Sequence, residues 1–496
     1  MMHDREKSHS AIVAAKPTNK ADATSVADAA EPVEPRAGTK RNASEQSTHR
    51  TQGRERVTQA LDRVRQAASQ RREEKFTALF HHLSVDLFRE AFFALKRDAA
   101  PGVDGLAWET YEADLDLKLT DLHSRVQRGA YRALPSRRAY IPKADGKQRP
   151  LAVAALEDKI VQKATVAVLN CIYEEEFLGI SYGFRPKRGP HDALDALVVG
   201  ISTRRVNFIF DADVAAFFDS VSKEWLVRFV EHRIGDKRII RLIRKWLKAG
   251  VLEDGVVTVS EMGTGQGSVI SPLLANIYMH YVFDLWADRW RRREAQGDVI
   301  IVRYADDFVV GFEHETDARR FWDALRARLE EFALSLHPDK TRLIEFGRHA
   351  ADTRARAGLG KPETFKFLGF VFICSKTRRG KFLVHRKSRR DRMQAKLKEV
   401  KKELRKRMHR PIPEQGRWLA QVVRGYFAYH AVPTNRASIS AFRRYVIRLW
   451  HRTLRRRSQK DRFSWERMQK LADEWLPQLR NFHPWPQARF AVKHSR

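Results

Sequence analysis

The sequence predicts an α+β fold, in which a mixed region of strands and helices is followed by a basic helical region. The first region is indicated by short apolar runs, among them 299–302 and 308–310, which flank the tight turn 304–307. Longer stretches with helical spacing of apolar residues lie between such runs. The second region is indicated by a change of character after residue 381, where charged sequence replaces the strand-like runs.

Residues 1–70 are rich in Ala, Thr, Ser, Glu, Lys and Arg and have few aromatic side chains and little apolar periodicity. Burial of so few apolar groups could not offset the entropy lost on ordering, so we expect a disordered, basic and polar tail over residues 1–70. Folded sequence is predicted from residue 71. Apolar side chains recur at helical spacing over 76–95, and the segment 100–105, with its Pro and Gly, ends that helix.

Strands and helices are both predicted in the middle of the chain. Residues 140–153 contain two strand-like runs around a turn and predict a hairpin that carries Lys143 and Arg149. Periodicity predicts the other elements: a strand over 206–211 and helices over 157–177, most of 225–251, and 272–292.

The overall charge indicates a polyanionic partner. The chain has 94 Lys and Arg residues against 61 Asp and Glu, and this net charge of +33 exceeds what solubility requires. From His385 to Arg410, 13 Lys and Arg side chains stand against three acidic ones. Such a run is commonly a solvated helix face, but this excess would repel itself without a polyanion nearby, so we favour a surface that faces phosphates.

Composition argues against several classes of protein. No run of about 18 uncharged apolar residues is present, and residues 1–9 lack the apolar core of a signal peptide, so we expect no membrane partner. Two cysteines, Cys171 and Cys374, cannot form a disulfide framework or a four-cysteine zinc site. We therefore expect nucleic acid as the partner and a reducing, cytoplasmic location, with association with the bacterial nucleoid as a further option.

The turn 304–307 carries the strongest chemical signal in the chain. Asp306 and Asp307 are adjacent, and two like charges at one turn cost free energy unless a cation neutralises them. A solvated hairpin turn is the alternative, because Asp is common in turns. The strand over 206–211 could place Asp211 or Asp213 beside this turn if the two strands are neighbours. Two metal ions about 3.5–4 Å apart need carboxylates from separate elements such as these.

Short motifs follow one another along the chain in a specific order: 141–143 with 147–151, 181–186, 213–219, 266–278, 304–307 and 367–370. This order resembles the successive blocks of a group II intron reverse transcriptase and maturase, an RNA-directed DNA polymerase, over about residues 76–465. The resemblance implies a right-hand polymerase. Its parts would be fingers and palm with an antiparallel sheet at 71–374, an α-helical thumb or maturase (X) domain at 375–477, and a short C-terminal tail at 478–496.

Matched residue by residue, the resemblance implies a two-metal polymerase site. Asp213, Asp306 and Asp307 would be catalytic and would bind two Mg²⁺ ions, with the Val214 carbonyl completing the shell of oxygen ligands. Asp211 is the local alternative to Asp213. We expect Asp211 instead to cap or solvate the end of its strand.

The resemblance also implies a nucleotide-binding set. Lys143 and Arg149 would contact the incoming triphosphate, since both side chains suit phosphate; two exposed hairpin cations are the alternative. Phe218 would stack beneath the deoxyribose and exclude a 2′-hydroxyl, or simply pack in the core. Gln266, on a Gly-rich loop, would line the same pocket or only solvate a helix start. Lys340 could protonate the leaving group or be a surface lysine.

The implied partners are the parent group II intron RNA, an RNA template–DNA primer duplex, target DNA and dNTPs. The protein would assist splicing and support insertion of the intron by target-primed synthesis. Two departures stand out: Gly265 replaces the Pro of many relatives, and two cysteines exclude the Cys-rich HNH endonuclease that many intron-encoded proteins carry. Two other functions stay open: a domesticated reverse transcriptase in phage defence or another host pathway, and an RNA-binding splicing cofactor whose polymerase is dispensable.

Overall fold

The structure is a computed structural model that describes residues 40–142, 148–253, 256–260, 262–263, 267–457 and 463–488. The strands are β1 (Ser136–Pro142), β2 (Gln148–Val153), β3 (Phe208–Asp213), β4 (Val251–Glu253), β5 (Val256–Thr258), β6 (Val299–Tyr304), β7 (Asp307–Phe312), β8 (Arg342–Glu345), β9 (Phe365–Phe367), β10 (Phe370–Lys376) and β11 (Phe382–Ser388).

The α-helices are α1 (Lys40–Gln70), α2 (Val85–Phe93), α3 (Trp108–Glu112), α4 (Leu115–Gln127), α5 (Leu156–Glu176), α6 (Pro190–Thr203), α7 (Phe217–Ser220), α8 (Lys223–Arg233), α9 (Lys237–Lys248), α10 (Ser271–Met279), α11 (Leu285–Arg293), α12 (Glu315–Glu331), α13 (Ala350–Arg356), α14 (Arg390–Lys406), α15 (Ile412–His430), α16 (Arg436–Arg455) and α17 (Trp465–Trp475). One turn of π-helix, His280–Asp284, joins α10 to α11.

The described strands form three sheets, with the orders β2-β1-β4-β5, β6-β7-β3-β8 and β11-β10-β9. All neighbouring strands are antiparallel except β1 and β4. Helices surround these sheets rather than alternating regularly with their strands. Mixed helices and largely antiparallel sheets confirm the predicted α+β class.

The sheet β6-β7-β3-β8 is central, because it is buried on both faces. Alternate residues of β3 point to opposite faces. Ile209 joins a core shared with α6 and the sheet β11-β10-β9, whereas Phe210 joins the larger core built around α5 and α8–α11. Burial on both faces explains the continuous apolar runs of these strands, and it leaves the ends of the strands as the natural place for charged groups.

Several local predictions are confirmed. β1 pairs with β2 as the hairpin predicted over 140–153, although its turn, 143–147, lies outside the described residues. The helices α5, α8 with α9, and α10 with α11 correspond to the helices predicted over 157–177, 225–251 and 272–292.

The expectation of disorder up to residue 70 is wrong for residues 40–70, which form α1. Val64 and Ala68 are buried, and Val57 and Leu61 pack against the same core, where α1 lies against α5. These apolar residues recur every three or four positions, so a narrow stripe is enough to dock the helix. Sequence reasoning misses the stripe because charged side chains outnumber apolar ones around it. Residues 1–39 lie outside the described residues.

The helices α14–α17 have a core of their own, to which Leu419, Phe442 and Trp450 belong. The predicted boundary between residues 374 and 375 falls inside β10, which packs on the core of the central sheet. The helical region therefore begins later, at α14. In the predicted tail, Phe482 N donates to the Ala431 carbonyl at 3.0 Å, so this part packs on the end of α15. None of the described helices has the length and apolarity needed to cross a membrane.

Candidate active site

The acidic turn joins β6 to β7 with two residues. Tyr304 pairs with Asp307 across the hairpin, which leaves Ala305 and Asp306 as the loop. Ala305 has a φ of 61°, in the left-handed region that tight hairpin turns require and that residues other than Gly seldom adopt. The turn is therefore strained, at a cost on the order of 1–3 kcal/mol, and it must be held by its surroundings.

Asp213 ends β3, the strand beside β7. In the register of this antiparallel pair, Asp213 lies directly opposite Asp307. Residues in such positions have Cα atoms about 4.5–5.5 Å apart. Asp306 precedes Asp307 in the turn, so the structure brings together the three carboxylates that the motifs single out. They come from two separate elements and meet at one end of the central sheet.

Burial and mutual repulsion dominate the electrostatics of these carboxylates. Burial raises the pKa of Asp307 well above its ordinary value, and the charges of Asp211, Asp213 and Asp306 raise it further. Burial also raises the pKa of Asp306, with Asp213 adding to the rise and Arg149 opposing it. Because so much like charge is held in a partly desolvated place, a bound cation would lower the free energy of the site.

Lys340 forms an ion pair with Asp213, its Nζ lying 2.5 Å from the Asp213 Oδ2. It ends the short 3₁₀ turn Pro338–Lys340, which precedes β8. The Lys340 ammonium also opposes the rise in the pKa of Asp307. The fold therefore brings Lys340 into contact with Asp213, although the two residues are 127 positions apart in the sequence.

Asp211 does not cap or solvate a strand end, contrary to the expectation. It lies within β3 with 9% of its surface exposed, and its Oδ2 accepts a hydrogen bond from Arg342 Nη2 at 3.3 Å. Burial raises the pKa of Asp211 to about 6, and Arg342 opposes the rise. Since alternate strand residues share a face, Asp211 lies on the same face as Asp213 and adds negative charge beside it.

The backbone after Asp213 orients the Val214 carbonyl. Ala215 N donates to Ser335 O, and His337 N donates to Asp213 O, each at 2.8 Å. Successive carbonyls of a strand point in opposite directions, so the Val214 carbonyl points away from this partner segment. It therefore points toward the β7 side, where Asp307 lies.

The structure describes only some of the residues that are predicted to bind the nucleotide. Phe218 follows a turn in which Ala216 has a φ of 43°, and its half-buried ring packs against the core, a position compatible with both alternatives. Arg149 is exposed on β2, and its charge lowers the pKa of Asp306, so it lies within electrostatic reach of the acidic turn. Lys143 and Gln266 lie outside the described residues.

A buried ion pair supports the turn, and sequence reasoning does not single it out. Arg303 and Asp284 are fully buried and share two hydrogen bonds of 2.6 and 2.7 Å. The other N–H groups of Arg303 donate to Asn276 Oδ1, Ser181 Oγ and the Ala305 carbonyl, at 3.1, 2.7 and 2.8 Å. The last bond fixes the strained residue of the turn. Asp284 ends the π-helical turn, a distortion that is frequent at functional sites.

Gly183 packs directly against the turn. A Cβ added at Gly183 would lie 2.4 Å from Ala305 N and 2.9 Å from the carbonyl carbon of Tyr304. Asn276 Nδ2 donates to the Gly183 carbonyl at 2.7 Å and so ties this segment to the Arg303 network. The motif 181–186 thus contains a glycine that close approach of two backbones requires.

Comparison with known proteins identifies the family. Residues 141–372 match the family described as "Reverse transcriptase (RNA-dependent DNA polymerase)". The chain is 33% identical over 319 residues to Protein YkfC of Escherichia coli strain K12, a match that covers 57% of this chain and 78% of that protein. It is 32% identical over 222 residues to the group II intron-encoded protein LtrA of Lactococcus lactis subsp. cremoris. The chain belongs to the group II intron reverse transcriptase family.

Membership in this family confirms the resemblance drawn from the order of motifs. A further relative is the "Uncharacterized 91 kDa protein in cob intron" of Schizosaccharomyces pombe, 35% identical over 198 residues, which are 40% of this chain and 24% of that protein. The match to LtrA covers 44% of this chain but only 37% of LtrA. Membership in this family of RNA-directed DNA polymerases therefore rests on the polymerase segment that the chains share.

Reverse transcriptases use divalent metal ions, and the donor chemistry of this site fits such ions. Three carboxylates and a backbone carbonyl are the oxygen ligands that hard divalent cations prefer. Within the described ranges, no three Asp, Glu, His or Cys side chains converge closely enough, as they stand, to surround an ion. One oxygen of Asp213 is engaged by Lys340 instead. An ion that bound this oxygen would therefore compete with Lys340 for it.

Proposed function

We propose that the protein synthesises DNA on an RNA template by two-metal-ion catalysis with Mg²⁺, and that it serves a group II intron. The observation that carries this proposal is the position of Asp213 opposite Asp307 and beside Asp306, at the end of a buried sheet. Carboxylates from two elements are what a pair of metal ions requires, because one turn cannot surround both.

Asp213, Asp306 and Asp307 would hold the two ions, with the Val214 carbonyl as a further ligand. When bound, the ions would lower the pKa of the primer 3′-hydroxyl and neutralise charge on the triphosphate and the departing pyrophosphate. The chain itself supplies the orientation. The fixed turn keeps Asp306 and Asp307 in place, and the register of β3 with β7 sets their separation from Asp213.

The incoming nucleotide would be held by side chains around the carboxylates. Arg149, whose charge already acts on Asp306, would contact the triphosphate together with Lys143. Phe218 would lie beneath the deoxyribose, and Gln266 would line the same pocket. Lys340 would contact the phosphates once it has left Asp213.

In this proposal the parts of the molecule take the roles of a right-hand polymerase. The sheet β2-β1-β4-β5 with its helices would be the fingers, the central sheet the palm, and α14–α17 the thumb. The basic stretch of α14 would follow the template–primer duplex. The same chain would bind its intron RNA, assist splicing, and act with target DNA in retrohoming, in a bacterial cytoplasm.

The test separates polymerase activity from RNA binding. The variant Asp306→Asn with Asp307→Asn should lose primer extension on an RNA template with dNTPs and Mg²⁺, while it keeps its affinity for the RNA that flanks its gene and its effect on splicing of that RNA. The matched control is Asp323→Asn, which removes an exposed carboxylate of α12. Primer extension that survives in the double variant would refute the proposal.

A further inference from the structure

The helix α9 carries a basic face that contains none of the residues assigned to the polymerase site. Its sequence, KRIIRLIRKWLK, has six Lys and Arg residues in 12 positions and no carboxylate. The apolar side is fully used, because Ile239, Leu242 and Ile243 are buried in the large core. The outward side therefore presents its positive charges either to solvent or to an anionic partner.

The cations of this face stand in a line. At 100° of turn per residue, Lys237, Arg241, Arg244 and Lys248 fall within an arc of about 60° along about 16 Å of helix. All four are exposed. We define these four residues as the α9 basic face. A straight row of cations is suited to successive phosphates of one nucleic-acid strand.

The α9 basic face is poorly neutralised by the protein. Arg244 pairs with Glu231 at 2.7 Å, but no described carboxylate lies within ion-pair distance of Lys237, Arg241 or Lys248. Asp236, which begins the helix, is already used as a hydrogen-bond acceptor by backbone N–H groups, including that of Leu79 at 2.8 Å. On α14 and α12, by comparison, some of the cations pair with Glu and Asp residues of their own helices.

A neighbouring segment extends the positive charge. Arg132, exposed after α4, lies close enough to Lys245 of α9 to act on its charge. Lys245 itself bonds the carbonyls of Gly129 and Tyr131, so the segment and the helix are held together. Burial lowers the pKa of Lys245, and Arg241 and Arg132 lower it further, which is what crowded cations without counter-charges produce.

We propose that the α9 basic face binds the phosphate backbone of structured, double-helical RNA outside the acidic site at which template–primer would bind. The proposal rests on the proposed function, because it assigns the intron RNA a surface of its own. Protein partners fit less well, since the face offers no exposed apolar or aromatic side chain to anchor the centre of an interface. Double-helical RNA fits, because it is recognised mainly through phosphates and shape.

The experiment measures RNA binding while template–primer duplex occupies the polymerase site. A labelled, blunt RNA hairpin is titrated with the full chain in the presence of saturating unlabelled RNA template–DNA primer duplex, over a series of salt concentrations. The variant combines Lys237→Gln, Arg241→Gln and Lys248→Gln, since Gln keeps the helix propensity of Lys and Arg. The control combines Arg319→Gln, Arg320→Gln and Arg326→Gln, which remove the same charge from exposed positions of α12.

We expect the wild-type chain and the α12 control to bind the hairpin, and the α9 variant to bind it about 100-fold more weakly at physiological salt, with a log–log salt slope reduced by about three. Primer extension on a preformed template–primer should be kept in all three proteins. Equal affinities of the α9 and α12 variants, or full displacement of the hairpin by template–primer, would overturn the proposal. Absence of extension in the wild-type chain would refute the polymerase function and leave the hairpin result standing.

Discussion

The hairpin β6–β7 holds two kinds of charged side chain, which differ in whether neighbouring groups of opposite charge compensate them. Asp306 and Asp307 are held with like charges around them, and burial and repulsion raise the pKa of both. Arg303, three residues earlier, is fully buried and is hydrogen-bonded to Asp284 and to other acceptors. A compensated charge therefore fixes the position of uncompensated ones. This is the pattern expected where a fold accepts local instability in order to place reactive groups.

The largest expected effect comes from neutralising one of the uncompensated carboxylates. Asp307→Asn should lower primer extension by more than about a thousandfold, because groups that act as one catalytic unit cannot be removed singly. Its thermal stability should stay the same or rise, since a buried carboxylate beside other carboxylates is replaced by a neutral amide. Extension assays and thermal melts of the same preparation measure both quantities. A clear fall in melting temperature would mean that Asp307 also stabilises the fold.

Removing the compensated charge of Arg303 should instead lower the stability of the fold. Arg303→Met leaves Asp284 buried without its partner and should lower the free energy of unfolding by about 3–5 kcal/mol. The double variant Arg303→Met with Asp284→Leu should recover much of this loss, because apolar side chains can replace a buried ion pair. It should not recover primer extension, since the Ala305 carbonyl still lacks its donor. Denaturant unfolding and extension by the double variant test the distinction, and restored synthesis would contradict it.

The two groups also differ in how far the sequence predicts them. The acidic turn is local: apolar runs on both sides of two adjacent Asp residues are enough to predict the hairpin, and the order of motifs then points to Asp213. The Arg303–Asp284 pair depends on a π-helical turn and on a contact between residues 19 positions apart, which no periodicity encodes. Asp211 is misjudged for a related reason, because its partner Arg342 lies 131 positions away.

The same contrast explains the errors at the ends of the fold. The helix α1 has too few apolar residues to be recognised alone, and its burial depends on α5 being in place. The boundary before α14 is displaced because the change in charge begins within the hairpin β10–β11, before the chain becomes helical. These errors therefore arise where an element has few apolar residues or where its contacts are with a distant element.

An intermediate effect is expected from displacing the turn without removing any charge. Gly183→Ala would place a Cβ 2.4 Å from Ala305 N, so one backbone must move. We expect a loss of about 1–3 kcal/mol in unfolding free energy, as for other overpacked sites, and reduced primer extension. The control is Gly425→Ala in α15, where an added Cβ meets no atom within 4 Å and helix propensity favours Ala. Equal behaviour of the two variants would show that the turn tolerates displacement.

The smallest expected effect concerns Lys340, the cation that pairs with Asp213 of the acidic site. Its ion pair with Asp213 is more than half exposed on the lysine side, so Lys340→Met should change the free energy of unfolding by less than about 1 kcal/mol. If Lys340 binds the nucleotide phosphates, the KM for dNTP should rise about tenfold with little change in kcat, the sign of uniform binding. Lys340→Arg, which keeps the charge, should restore most of the affinity. A fall in kcat at unchanged KM would instead identify Lys340 as the proton donor to the leaving group.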